Sequence, residues 1–199
     1  MEKEGNISHV ESLELIQSMI NRVKDKFGEN GHLYLLWGWV VLLCSLTQFI
    51  LIKFTVVEKH YLVWLACWGV VIYQVFYLVK KHRGTKVRTY TGDIIGFVWF
   101  SFAIAMFLLS FVFGRILGND YYRVINPVFL VIYGIPTFLS GIILRFRPLV
   151  IGGISCWVLS IIAAFVMPTY QLLFLSATMI VAWIIPGYLL RSKYKKASN

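Results

Sequence analysis

The sequence predicts an all-α membrane protein, a polytopic helical bundle of about six transmembrane helices preceded by an amphipathic amino-terminal helix. Three observations carry that expectation. Hydrophobic residues make up 59% of the 199-residue chain and charged residues only 14%, against roughly 25% charged in a soluble domain. The apolar residues fall into six runs, each close to the roughly 20 residues that cross a bilayer as a helix. Lysine and arginine collect in alternate gaps between those runs, as they do when one side of a membrane retains them.

A closed β-barrel also satisfies every backbone polar group in lipid, but its strands alternate apolar and polar residues. The stretch 35–43 has no polar side chain, and only Gly38 interrupts its large apolar residues. The pattern is that of a helix.

The chain begins with a cytoplasmic arm, residues 1–31. From Ser8 to Phe27 it reads as a helix outside the hydrocarbon: Leu13, Ile16, Ile20, Val23 and Phe27 recur at spacings of three and four and form one apolar face, with Met19 on its flank. Ser8 and Glu11 stand in a capping-box relation at its start. The opposite face carries Glu11, Glu14, Ser18, Arg22 and Asp25 and leans acidic, so electrostatic attraction to an anionic bilayer is weak. This helix is expected to lie at the interface or against the bundle, and its apolar face is a candidate docking surface for a cytoplasmic or membrane protein partner or a second copy.

The transmembrane domain, residues 32–190, is read as six spans at 34–54, 61–79, 94–116, 125–144, 149–167 and 172–190. No signal-peptide core is recognised, so the first span is expected to remain as an anchor. The basic tail, residues 191–199, follows the last span. One side of the bundle receives the arm, the connection with Lys80, Lys81, Arg83, Lys86 and Arg88, the turn with Arg145 and Arg147, and the tail with Arg191, Lys193, Lys195 and Lys196. That side holds fifteen Lys and Arg residues, against four (Lys53, Lys59, Arg115 and Arg123) on the other. Both termini are therefore expected in the cytoplasm. The net charge of +10 is absorbed by this topology and by anionic lipid headgroups, which excludes nucleic acid as the partner.

Trp37, Trp39, Tyr61, Trp64, Tyr170 and Tyr188 sit near span ends, as an interfacial aromatic belt requires, whereas Trp68, Tyr73 and Tyr133 lie deeper and are expected between helices. In the fifth run Gly152, Cys156, Ser160 and Ala164 recur at steps of four, a small-residue stripe for helix packing within or between subunits. Gly92 with Gly96, and Ser110 with Gly114, form weaker small pairs in the third run. Pro136 and Pro186 lie inside the fourth and sixth runs, where each removes an amide donor and predicts a kink. The segments around them, Val131–Pro136 and Val181–Pro186, resemble one another at an offset of 50; parallel use of proline kinks accounts for this better than an internal repeat does.

The chemistry is sparse. No acidic, basic or histidine side chain occupies a span centre, which disfavours a proton-coupled pump or a charge-lined channel. Gln48 and Gln74 are the strongest polar groups in the spans, as interhelical hydrogen-bonding residues or the walls of a small polar pocket. Cys44, Cys67 and Cys156 lie inside apolar runs with no disulfide or metal spacing, and His9, His32, His60 and His82 cannot all meet across the membrane. Nucleotide-binding and hydrolase motifs are not recognised. The sequence thus designates no catalytic residue, cofactor or metal.

Glu11–Ile16 and Leu35–Trp39, together with Arg147–Gly153 and Ile185–Leu190, resemble uncharacterised multi-pass inner-membrane proteins of Bacteroidota. The resemblance implies a bacterial inner-membrane location and no particular mechanism. Besides membrane lipids, a protein partner is expected. The functional expectation is a membrane-embedded regulatory, sensor or interaction protein; the alternative is a transporter or channel for a small neutral or lipid-like solute.

Overall fold

The computed structural model describes residue 13 and residues 31–55, 59–84 and 90–198. Apart from Leu13, the amphipathic arm and its candidate docking face lie outside the described residues.

Among the described residues every element is helical. Helix α1 is Gly31–Phe54. A 3-10 turn, His60–Trp64, leads into α2, Leu65–Gly84. Helix α3 is Tyr90–Leu117 and a second 3-10 turn, Gly118–Asp120, joins it to α4, Tyr121–Ile143. Helix α5 is Arg147–Ala164. The last span begins as α6, Pro168–Met179, widens into a π segment, Ile180–Ile184, and ends as α7, Ile185–Ser198. Among the described residues six helices are long and apolar enough to cross a membrane, and the chain is a multi-pass membrane protein of all-α class.

The spans are not equal. In the fourth and sixth, 56% of the most apolar window is buried inside the chain, against 6% in the third and none in the second. Helices α1, α4 and α5 pack with the sixth span into a four-helix core, while α2 packs on α1 and α3 on α4. This arrangement corrects two inward expectations: Trp68 and Tyr73 are 63% and 48% exposed, because among the described residues their helix has a neighbour on one side only. Tyr133, on a core helix, is buried as expected.

Small residues account for the tightest contact. A Cβ added to Gly153 would lie 2.6 Å from the Cβ and 2.8 Å from the Cα of Phe138, and one on Gly141 would lie 2.6 Å from the amide nitrogen of Val150. Backbones of α4 and α5 therefore touch, which gives dispersion contact where water provides no drive for association. The small pairs expected in the third span behave differently: a Cβ at Gly96 or Gly114 would meet nothing within 4 Å, since α3 turns another face to α4.

The α4–α5 turn closes with the amide of Arg145 bonded to Ile142 O (3.0 Å) and that of Phe146 to Gly141 O (2.8 Å). This is the bonding of a Schellman end, with Arg145 at φ 49° in the left-handed position that glycine usually fills. The turn brings Phe146 under Lys193, whose Nζ lies 5.7 Å from the ring centre.

Candidate functional site

Helices α1 and α2 run antiparallel and exchange a reciprocal pair of bonds. Trp37 on α1 donates its indole N–H to Gln74 Oε1 on α2 (2.6 Å), and Trp64 at the start of the second span donates to Gln48 Oε1 on α1 (2.6 Å). Trp37 and Gln48 are eleven positions apart in sequence, or about 16 Å along a helix, so the two bonds clasp opposite ends of the contact. Gln48 and Gln74 therefore do not meet in one pocket. Each is held by a tryptophan of the neighbouring helix, an arrangement in which a polar group in lipid finds a partner without a ligand.

The Gln48 end is the richer one. Its Nε2 lies 3.1 Å from Nδ1 of His60, and nearby the Cys44 thiol donates to Val63 O at 3.5 Å. At the Gln74 end, His32 packs beside the stacked rings of Tyr73 and Tyr77, at 6.5 and 5.8 Å.

A second cluster fills the middle of the core. Trp183, in the π segment, donates its indole N–H to Thr137 Oγ1 (2.9 Å), and that hydroxyl donates to Tyr133 O (2.8 Å). The ring of Trp183 stands edge-on to those of Tyr133 (5.2 Å) and Trp99 (5.5 Å), and Trp99 continues the contact to Tyr34 (5.6 Å). Tyr133 and Trp183 each lie three residues before a proline, so the similar segments around Pro136 and Pro186 meet through corresponding rings. Pro186 has no N–H and crowds the carbonyl four residues back; the preceding turn widens, and Ile185 N–H bonds to Ile180 O, five residues back. Pro136 lies within the continuous helix α4. The hydroxyls of Tyr34 and Ser140, both buried, face each other beside Trp99 without reaching hydrogen-bond geometry.

The stripe on α5 lies in the groove between α4 and the last span. Gly152 abuts Ala182, where an added Cβ would fall 2.7 Å from Cα; Cys156 is fully buried; and Ser160 donates to Pro127 O at 2.8 Å. Ala164, the expected fourth member, is exposed, and Ala163 is buried in its place. Each step of four overshoots a helical turn by about 40°, so three such steps carry residue 164 off the face.

Sequence reasoning passed over Gln171. In the first turn of α6 it is 1% exposed, and its Nε2 reaches three carbonyls: Arg123 O at 3.1 Å, Ala163 O at 3.2 Å and Val166 O at 3.1 Å. Its Oε1 accepts from Asn126 Nδ2 at 3.5 Å. One side-chain amide thereby ties together the end of α5, the start of α4 and the last span. A polar residue at the beginning of an apolar run reads as solvent-facing, and only the position of Pro168 three residues earlier marks it as a first-turn residue. Compared with models of protein families, with curated proteins and with solved structures, the chain matches none of them.

Proposed function

We propose that the protein is a membrane-embedded regulatory or interaction protein of a bacterial inner membrane, with both termini cytoplasmic, and that its second span is the element that meets a membrane-protein partner. One observation carries this reading. The second span is fastened to the core by two tryptophan–glutamine bonds, yet none of its apolar window is buried. Trp68, Ile72 and Phe76, at steps of four, present one continuous exposed apolar face. A helix held by a few directional bonds and little packing can change neighbours at small cost. The split of fifteen basic residues to four supports the orientation. The glutamines that a solute path would use are engaged with indoles, so the geometry supports interaction in preference to transport.

Photoreactive amino acids at Trp68 and Phe76, with Ile161 on the exposed face of α5 as the reference, test the reading in intact cells. Positions 68 and 76 are expected to give a discrete protein adduct that position 161 does not. Lipid adducts alone at all three positions would sink the interaction reading.

A further inference from the structure

The bond network at the start of the second span permits one protonation state. An indole nitrogen only donates, so the 2.6 Å contact from Trp64 Nε1 fixes the oxygen of the Gln48 amide on the tryptophan side. The amide NH2 of Gln48 then faces Nδ1 of His60 at 3.1 Å. That nitrogen must accept, and the imidazole is neutral with its proton on Nε2. Adding a proton to Nδ1 sets two donors against each other. Turning the Gln48 amide over relieves His60 but places the NH2 against the Trp64 indole. Neither orientation satisfies all three residues, and a buried donor left without an acceptor is costly. Gln48 is buried, so water does not readily supply the missing acceptor.

We infer that His60, Gln48 and Trp64 form an acid-released latch, closed while the imidazole is neutral and opened when it takes up a proton, which frees one end of the second span from the first. This deepens, and rests on, the reading of the second span as the regulatory element. The other end has the same tryptophan–glutamine bond, Trp37 to Gln74 at 2.6 Å, with no imidazole bonded to it among the described residues. Release is therefore one-sided, and the second span pivots about its Gln74 end. With six spans, His60 lies across the membrane from the chain's termini, so the latch responds to the pH of that compartment.

Among the described residues few other ionisable groups lie near the latch. From α1 the groups near it are the Cys44 thiol, bonded to Val63 O at 3.5 Å, and Lys53, whose ammonium is engaged by the Tyr170 hydroxyl at 3.3 Å. From its own turn and from α2 they are Lys59, Tyr61 (ring centre 6.2 Å away) and Cys67. Glu58 lies outside the described residues. Asp120, on the same side of the membrane, sits 3.6 Å from Arg123.

Indole hydrogen exchange in the full chain, labelled with 15N-tryptophan and held in lipid nanodiscs, tests the latch. Trp64 is compared with Trp37 in the same sample, so the intrinsic pH dependence of indole exchange cancels and Trp37 reports that the fold is intact. On acidification from about pH 8 to about pH 5, the Trp64 to Trp37 exchange ratio is expected to rise ~10-fold, the equivalent of one hydrogen bond. In His60→Gln, which cannot take up the proton, the ratio is expected to stay constant. A flat ratio in the unaltered protein, or an equal rise in His60→Gln, would overturn the latch. Neither result depends on the photocrosslinking outcome, so the latch and the partner reading can fail separately.

Discussion

Replacing Gln171 with leucine is expected to cost about 2–4 kcal/mol of stability and to lower the unfolding temperature in detergent by roughly 5–15 °C. Leucine keeps most of the volume but has no donor. In the unaltered protein the Gln171 amide nitrogen serves carbonyls of Arg123, Ala163 and Val166, all within 3.2 Å. Residue 127, four after Arg123 in α4, is proline and has no N–H to offer its carbonyl, and Val166 lies past the end of α5 at Ala164, so these two carbonyls need this donor, whereas Ala163 O also accepts from Val166 N–H at 3.1 Å. Gln171→Glu is expected to cost more, because a carboxylate would face the same oxygens. Unfolding temperatures within about 2 °C of the unaltered protein would show that the cap is dispensable.

Substitution Gly153→Leu is expected to be the most damaging change in the membrane domain, costing about 3 kcal/mol or more and separating α4 from α5. The atoms in the way belong to the Phe138 backbone and Cβ, at 2.6–2.8 Å from the first added carbon, and cannot swing aside as a side-chain tip would. Gly114→Leu supplies the comparison. A Cβ there meets nothing within 4 Å, and the gain in helix propensity, up to about 1 kcal/mol, is expected to leave the protein as stable or more so. Thermal unfolding of the two variants side by side separates close backbone approach from a general intolerance of larger residues.

The contrast between these glycines shows what could be read before the structure. Run length and the distribution of Lys and Arg are properties of single segments, and they located the spans to within a few residues: the first was expected at 34–54 and is Gly31–Phe54. Which face of a span meets a neighbour is a property of pairs. Gly96 and Gly153 look alike in sequence, yet one faces open space and the other touches backbone, because α3 lies outside the four-helix core. For the same reason Trp68 and Tyr73 were expected inward and lie outward. Gln48 and Gln74 stood out as polar groups in apolar runs, but their partners, Trp64 and Trp37, read as belt residues at the span ends. Nothing in one helix reveals that the neighbouring helix returns the same bond in the opposite direction. The role of His60 is hidden in the same way, since it follows from the orientation of the Gln48 amide.

Six crossings are the foundation on which the clasp, the latch and the peripheral second span all stand. The most direct test is labelling with a membrane-impermeant maleimide in sealed vesicles of known orientation, using single cysteines introduced at Phe54, Arg145, Met167 and Lys193, all exposed next to span ends. Cysteines at 145 and 193 are expected to react together from the side of the termini, and those at 54 and 167 together from the other side, the only pair reached in intact cells. Reaction of 167 and 193 from the same face would mean that the last span does not cross, and would contradict the six-span account.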